Sequence, residues 1–332
     1  MLHQLETLET NEAALIAEMT DILRRKMERD YAKGATLRDA HPKALGVLRG
    51  TLSVEPNLPP ELKVGVFKKA VSHACWVRVS NASGTPQSDA VPDFRGIAIK
   101  LMAPVIGGKV MAASTEAPLG QDFVLMNYPT MPLGTIKLFR DAVYFSIERS
   151  PLLLVLKLVL TGHGAVLKAL KQGRTTPRSP LDLRYWSTTP YAWGEHATVK
   201  YSLIPKSPHR SPPPNEMGEH YLSQAMQTHL TYHPAVFDFC VQLRKGDMPI
   251  ENASKEWSEA ESPFVKVASL RFDKQQFAGI KERGDLAEEL SFSPGNALPE
   301  HAPLGAINRA RVAIYAALSQ FRHARDKRKN IG

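Results

Sequence analysis

The sequence predicts an α+β fold, an antiparallel sheet or barrel with helices around it. Short runs rich in β-branched and aromatic residues follow one another between about 48 and 128: GTLSVEP, CWVRVSNA, RGIAIKLM and DFVLMNYP. Several alternate, as in Trp76-Val77-Arg78-Val79-Ser80, the period of a strand with one buried face. Turn-forming stretches such as NASGTPQSD and PVIGGK separate them, and helical spacing returns on both sides of this region.

Taken in order, residues 4–30 read as an amphipathic helix. Leu5, Leu8, Leu15, Ile16, Met19, Ile22 and Leu23 fall near one face, and Arg24, Arg25 and Lys26 come late. This helix either packs on its own domain or forms an arm that wraps a partner subunit. We take 1–34 as this arm and 35–330 as one core domain. Residues 136–172 also read as helical. Within them PLLLVLKLVL is the most apolar stretch of the chain, but ten residues interrupted by Lys157 cannot span a bilayer. It is either a buried helix or an apolar patch that lines a channel or touches a membrane, with Lys157, His163, Lys168 and Lys171 in or just after it. Two more strand candidates are HATVKYSLIP and FVKVASLRF. Five prolines in 205–214 demand an extended connector. Residues 217–245 are expected to be helical again, and 304–327 form the last long helix.

Composition narrows the function. The 332 residues are 43% hydrophobic and 23% charged, enough for a sizeable core, which excludes a disordered or fibrous chain. The net charge of +9 admits an acidic partner: a membrane surface, nucleic acid or a ligand bearing carboxylates. Two cysteines, Cys75 and Cys240, make neither a disulfide framework nor a Cys-rich zinc site. The first twenty residues lack a basic region followed by an apolar run, so no signal peptide is read and a cytoplasmic location is expected. No phosphate-binding, dinucleotide, zincin or nucleophile-elbow motif is present. His229 and His233 share a helical face, but a pair without a third ligand reads as structural more readily than metallic.

The last helix says more. Arg311, Tyr315 and Arg322 fall on one stripe, shouldered by Ala310, Ala313, Ala316 and Ala317. Such a stripe can lie close against something flat and anionic, or it can be a solvated basic face. An arginine one turn from a tyrosine favours the phenolate, whose unperturbed pKa is ~10, and a phenolate is a hard ligand for ferric iron.

Several separated motifs, in order from about residue 35 to 325, resemble the haem catalase superfamily in its short, single-domain form. RDAHPKALGVLRGTLSV resembles the strand that carries the distal histidine; it implies His41 as the acid–base group and Arg38 as a haem propionate partner. WVRVSNASGTPQSDAVPDFRGIAIKL is similar to a second block. There Arg78 matches a propionate arginine and Ser80 the serine bonded to the distal histidine, while Asp93, Arg95 and Gly96 match a structural turn. DFVLMNYPTM resembles the strand of the distal asparagine. A gapless register sets Met126 at that position; a shift by one assigns the role to Asn127, the expectation adopted here. Phe139 falls on a phenylalanine that stacks on the haem. RVAIYAALSQFR resembles the proximal helix, with Tyr315 as axial iron ligand, Arg311 as its hydrogen-bonding partner and Arg322 as a third propionate arginine.

The chain departs from the family in lacking the large C-terminal domain and the long N-terminal arm, in Ala316-Ala317 after the axial tyrosine, and in Met131-Pro132 after the asparagine strand. The resemblance implies haem b (iron protoporphyrin) between barrel and C-terminal helix, self-association, and decomposition of hydrogen peroxide or an organic hydroperoxide. The alternative within the superfamily is rearrangement of a fatty-acid hydroperoxide, as in allene oxide synthase-like members. Those have threonine just before the distal histidine, and here that residue is Ala40. The apolar 151–170 segment pulls toward a lipid hydroperoxide and peripheral membrane contact. A basic, non-enzymatic binding module is the competing class; no nucleic-acid partner is expected.

Overall fold

The computed structural model describes residues 5–32, 38, 40–102, 105–106, 109–110 and 120–329. The domain boundary expected at 34/35 lies outside them. The strands are β1 (Ala44–Val54), β2 (Ser72–Asn81), β3 (Arg95–Leu101), β4 (Val105–Ile106), β5 (Lys109–Val110), β6 (Asp122–Met126), β7 (Tyr185–Trp186), β8 (Tyr191–Trp193), β9 (Ala197–Pro205), β10 (Ala235–Leu243) and β11 (Val265–Phe272). The helices are α1 (Glu12–Asp30), α2 (Ile136–Glu148), α3 (Pro151–Leu160), α4 (Gly164–Gly173), α5 (Tyr221–Tyr232), α6 (Lys281–Glu289) and α7 (Ala306–Lys329).

Eight strands close an antiparallel barrel in the order β10-β11-β1-β2-β3-β6-β7-β9 and back to β10, which leaves no open edge among them. β8 adds to β9, and β4 pairs β5 antiparallel. The period of two sorts the side chains. Val77 and Val79 of β2, Ile97 and Ile99 of β3, and Phe123 and Leu125 of β6 belong to the barrel core. Phe67, Trp193, Tyr201, Phe239 and His301 join them in a web of tilted and edge-on rings. Fully burying each large apolar side chain contributes roughly 1.5–3 kcal/mol, so this interior is what fixes the strand register. The residues between these, Arg78 and Ser80 on β2 and Gly96 and Ala98 on β3, therefore present the other face of the sheet.

Helices form a second layer. α1 packs on α2 and α7 through Met19, Leu23 and Met27. Arg309 of α7 ties it down through Glu6, Glu12 and Glu251, at 2.5–2.8 Å. The α1 helix thus lies on its own chain, and the first turns of the expected 4–30 helix are not helical. The expected 136–172 helix is three helices, broken where Ser150 Oγ accepts from Leu152 N and Pro151 starts α3, and again at Gly162. Within 217–245 the helical expectation is corrected: α5 ends at Tyr232, and Ala235–Leu243 is a barrel strand. His233-Pro234 disfavours helix continuation, and AVFDFCVQL then supplies the aromatic and β-branched side chains a strand buries.

Candidate active site

The outer face of β2, β3 and β6 forms one wall of the site. Ser80 stands opposite Gly96, and Gly96 opposite Met126, so all three share a face. His41 comes from the segment just before β1 and lies over this wall. Its Nδ1 is 2.9 Å from Ser80 Oγ. Gly96 makes the fit possible, because a Cβ there would stand 2.6 Å from His41 Cε1 and 2.7 Å from Nδ1. The His41 backbone has φ 57°, a left-handed conformation that costs a histidine energy. Arg78 holds it there, donating from Nη2 to the carbonyls of His41 (2.8 Å) and Pro42 (3.4 Å). Burial pushes the imidazole pKa down to about 3, helped by the charges of Arg78, Arg311 and Arg38. His41 is therefore neutral near pH 7.

α7 forms the other side. Arg311 is buried near Tyr315, its guanidinium carbon 5.7 Å from the ring centroid. Burial opposes the charge of Arg311, yet Tyr315 and Tyr191 together raise its pKa. Asn308 fixes the start of this helix: its amide donates to Pro190 O at 2.9 Å, and its Oδ1 accepts from Thr189 (3.0 Å) and Arg311 (3.4 Å). Phe139 of α2 is half-buried against the same α1–α2–α7 cluster as Tyr315.

Three arginines meet between these walls. Arg38 donates to the carbonyls of Ala287 (2.5 Å) and Leu290 (2.9 Å) at the C-terminal end of α6. Arg322 donates to Glu288 O at 2.7 Å and reaches the Glu288 carboxylate at 3.5 Å. The negative end of α6 thus receives both cations. Burial and mutual repulsion lower Arg78 to about 9, and burial lowers Arg38 to about 10; Glu288 opposes both shifts. Among the described residues, the Nε atoms of Arg38 and Arg78 are buried with no hydrogen-bond partner. A site with this much buried positive charge fits a ligand that brings carboxylates of its own.

Asn127 does not join this group. Its Oδ1 accepts from Arg95 N at 2.7 Å, and its amide nitrogen faces Gly173 O (3.5 Å) and Thr175 Oγ1 (3.4 Å). One residue along an extended strand reverses the face, so Met126 is the β6 residue on the His41 side. Asn127 belongs to a buried polar network. In it Arg95 bonds Asn81 Oδ1 (2.7 Å) and the carbonyls of Asp89 and Thr175, and Asp93 accepts from the backbone of Ala82 and Ser83. Sequence reasoning also missed Glu288 and the α6 carbonyls, whose signal was a helix end, EELSFSPG, and no motif. His229 and His233 pack with His209 ring on ring. Among the described residues no group of three His, Cys, Asp or Glu side chains is placed to hold a metal ion.

No family model matches the sequence, and no curated protein matches it. Solved structures do. A fungal catalase aligns with TM-score 0.68 and 16% identity over 90% of this chain and 61% of its own. A bacterial catalase gives 0.63 and 17% over 95% and 62%, and catalase A from Saccharomyces cerevisiae 0.67 and 15% over 90% and 63%. The chain spans less than two thirds of each of these. At such identity the likeness speaks for the fold: this chain has the closed barrel and flanking helices of the catalases.

Proposed function

We propose that this chain is a haem enzyme that decomposes hydrogen peroxide or an organic hydroperoxide. The observation that carries the reading is the cluster of Arg38, Arg78 and Arg322, with two unpartnered Nε atoms and Glu288 as the carboxylate at hand. It fits the two propionates of haem b, which arginine can bind bidentately. Tyr315 would ligate the iron. Arg311 lies beside it, and a tyrosine oxygen as ligand favours ferric iron. When bound, the haem supplies the redox chemistry that splits the O–O bond.

The protein's part is proton handling and orientation. His41 Nε2 takes the proton from the bound peroxide and returns it to the departing oxygen, so that water or an alcohol leaves. Ser80 holds the ring at Nδ1, and Arg78 holds its backbone. Burial keeps the imidazole neutral near pH 7. Met126 offers no proton donor on this face, so His41 and Ser80 do the polar work on the β2–β3–β6 wall.

The test is the absorption spectrum of the purified protein after reconstitution with haem, compared with Tyr315→Phe. The expected result is an intense Soret band in the parent, weakened or shifted in the variant, with the same far-UV circular dichroism in both. An oxygen electrode with hydrogen peroxide, and a dye assay with a linoleate-derived hydroperoxide, then identify the substrate. A parent that binds no haem, or a variant with an unchanged spectrum, refutes the assignment.

A further inference from the structure

We infer that the α3–α4 hairpin is a docking surface for an anionic lipid bilayer. It places a string of large apolar side chains in solvent. Leu152 is 77% exposed and Leu160 76%, and Leu153, Val155, Leu156 and Val159 are exposed as well. Only Leu154 and Leu158 of α3 turn inward, onto a small cluster with Ala142 of α2 and Val166 of α4. Contiguous exposure of this kind marks an interaction surface in a soluble fold. The barrel does not need it: α3 touches α2 and α4, while the barrel has its own core.

Charge selects the partner. From Arg149 to Leu181 the chain has 33 residues without one Asp or Glu, and it carries Arg149, Lys157, Lys168, Lys171, Arg174 and Arg178. Lys157 is paired with Asp141 of α2 at 2.6 Å. Lys168, Lys171, Arg174 and Arg178 are exposed, and among the described residues none makes an ion pair with a carboxylate. An exposed apolar helix followed in the chain by exposed cations complements a layer of acyl chains under negative headgroups. No helix among the described residues is long and apolar enough to cross a membrane. Ten residues span about 15 Å, half the hydrocarbon thickness, so α3 lies in the interface plane. The opposite side of α2 packs on the cluster that includes Tyr315, so a bilayer on α3 sits one helix away from the proposed site.

Co-sedimentation with vesicles tests this without turnover, so it stands or falls apart from the haem reading. The parent protein is mixed with phosphatidylcholine vesicles and with vesicles containing about one third phosphatidylglycerol. Binding to the anionic vesicles, weakened by salt, is expected. Leu156→Glu with Leu160→Glu abolishes it. Lys168→Gln with Lys171→Gln weakens it roughly tenfold or more, since each cation near the surface counts for ~1 kcal/mol. Both pairs are solvent-exposed, and unchanged melting temperatures verify that the fold is intact. Absence of binding, equal binding to both vesicle types, or binding that survives the leucine variant overturns the inference. So does a vesicle-free dimer that the leucine variant converts to monomer, which assigns the face to a second copy of this chain.

Discussion

Gly96→Ala tests whether the His41 ring has to sit where the wall places it. The added Cβ would stand 2.6 Å from Cε1 and 2.7 Å from Nδ1 of His41, and 3.2 Å from Ser80 Oγ. Carbon atoms rest at ~3.5–4.0 Å, so the ring must retreat by about 1 Å. The main chain cannot absorb this. His41 is already in a left-handed conformation, with its carbonyl held by Arg78. The retreat therefore falls on the imidazole and breaks the 2.9 Å bond to Ser80. Losing that bond costs about 1 kcal/mol, and overpacking adds ~1–3 kcal/mol, so thermal stability falls measurably but the barrel survives. A displacement of about 1 Å at an acid–base group costs on the order of a hundredfold in rate. The assay pairs peroxide loss with the haem spectrum. The expected variant keeps its haem band, since Tyr315 comes from the other wall, and loses about two orders of magnitude in turnover. Ser80→Ala removes the bond without the clash and should lose less. Parental turnover in Gly96→Ala would refute the role given to His41.

Two further perturbations separate neighbouring explanations. Asn127→Ala strips partners from Arg95 N and from Thr175, and should lower the denaturation free energy by about 1–3 kcal/mol with turnover per folded haem-bound molecule unchanged; Met126→Asn should alter turnover and leave stability nearly as it was. His301 is fully buried with its pKa pushed down to about 3 by burial, against 6.5 for a free histidine. The unfolded chain therefore binds the proton first, and stability falls as pH drops from about 6.5 toward 3. His301→Leu should flatten urea-denaturation free energy against pH in that window by up to ~1.4 kcal/mol per pH unit, and an unchanged slope would rule this out.

Much of the fold was legible because its signals are local. Alternation in 75–81 and 95–102 marked strands, and the stripe through Arg311, Tyr315 and Arg322 marked the helix that carries the proposed iron ligand. Where local signals competed, the reading failed: 235–243 followed a helix so closely that the break at His233-Pro234 was passed over. The apolar run in α3 was ambiguous because burial depends on what packs against a helix, and periodicity does not report that. The arginine cluster could be listed from the sequence, but its acceptors could not. Ala287, Glu288 and Leu290 reach Arg38 and Arg322 through main-chain carbonyls, which any residue type would offer.

The choice between Met126 and Asn127 shows how sharply one residue of register decides chemistry. The resemblance to the family's asparagine strand, shifted by one residue, favoured Asn127. Strand geometry overrides that shift. The ladder pairs Gly96 with Met126, and Gly96 is the residue whose missing side chain admits the His41 ring. Asn127 must then face away, and its hydrogen bonds to Arg95, Gly173 and Thr175 fix it there. The thioether in its place is apolar and polarizable, and it neither donates nor strongly accepts a hydrogen bond. On the proposed reading, a substrate on this wall would be oriented by His41 and by apolar contact. That balance suits a peroxide carrying an alkyl chain better than one whose every atom needs a hydrogen bond. The ratio of turnover on linoleate hydroperoxide to turnover on hydrogen peroxide should accordingly fall in Met126→Asn, and a ratio that rises or stays level would remove the side chain from any account of substrate choice.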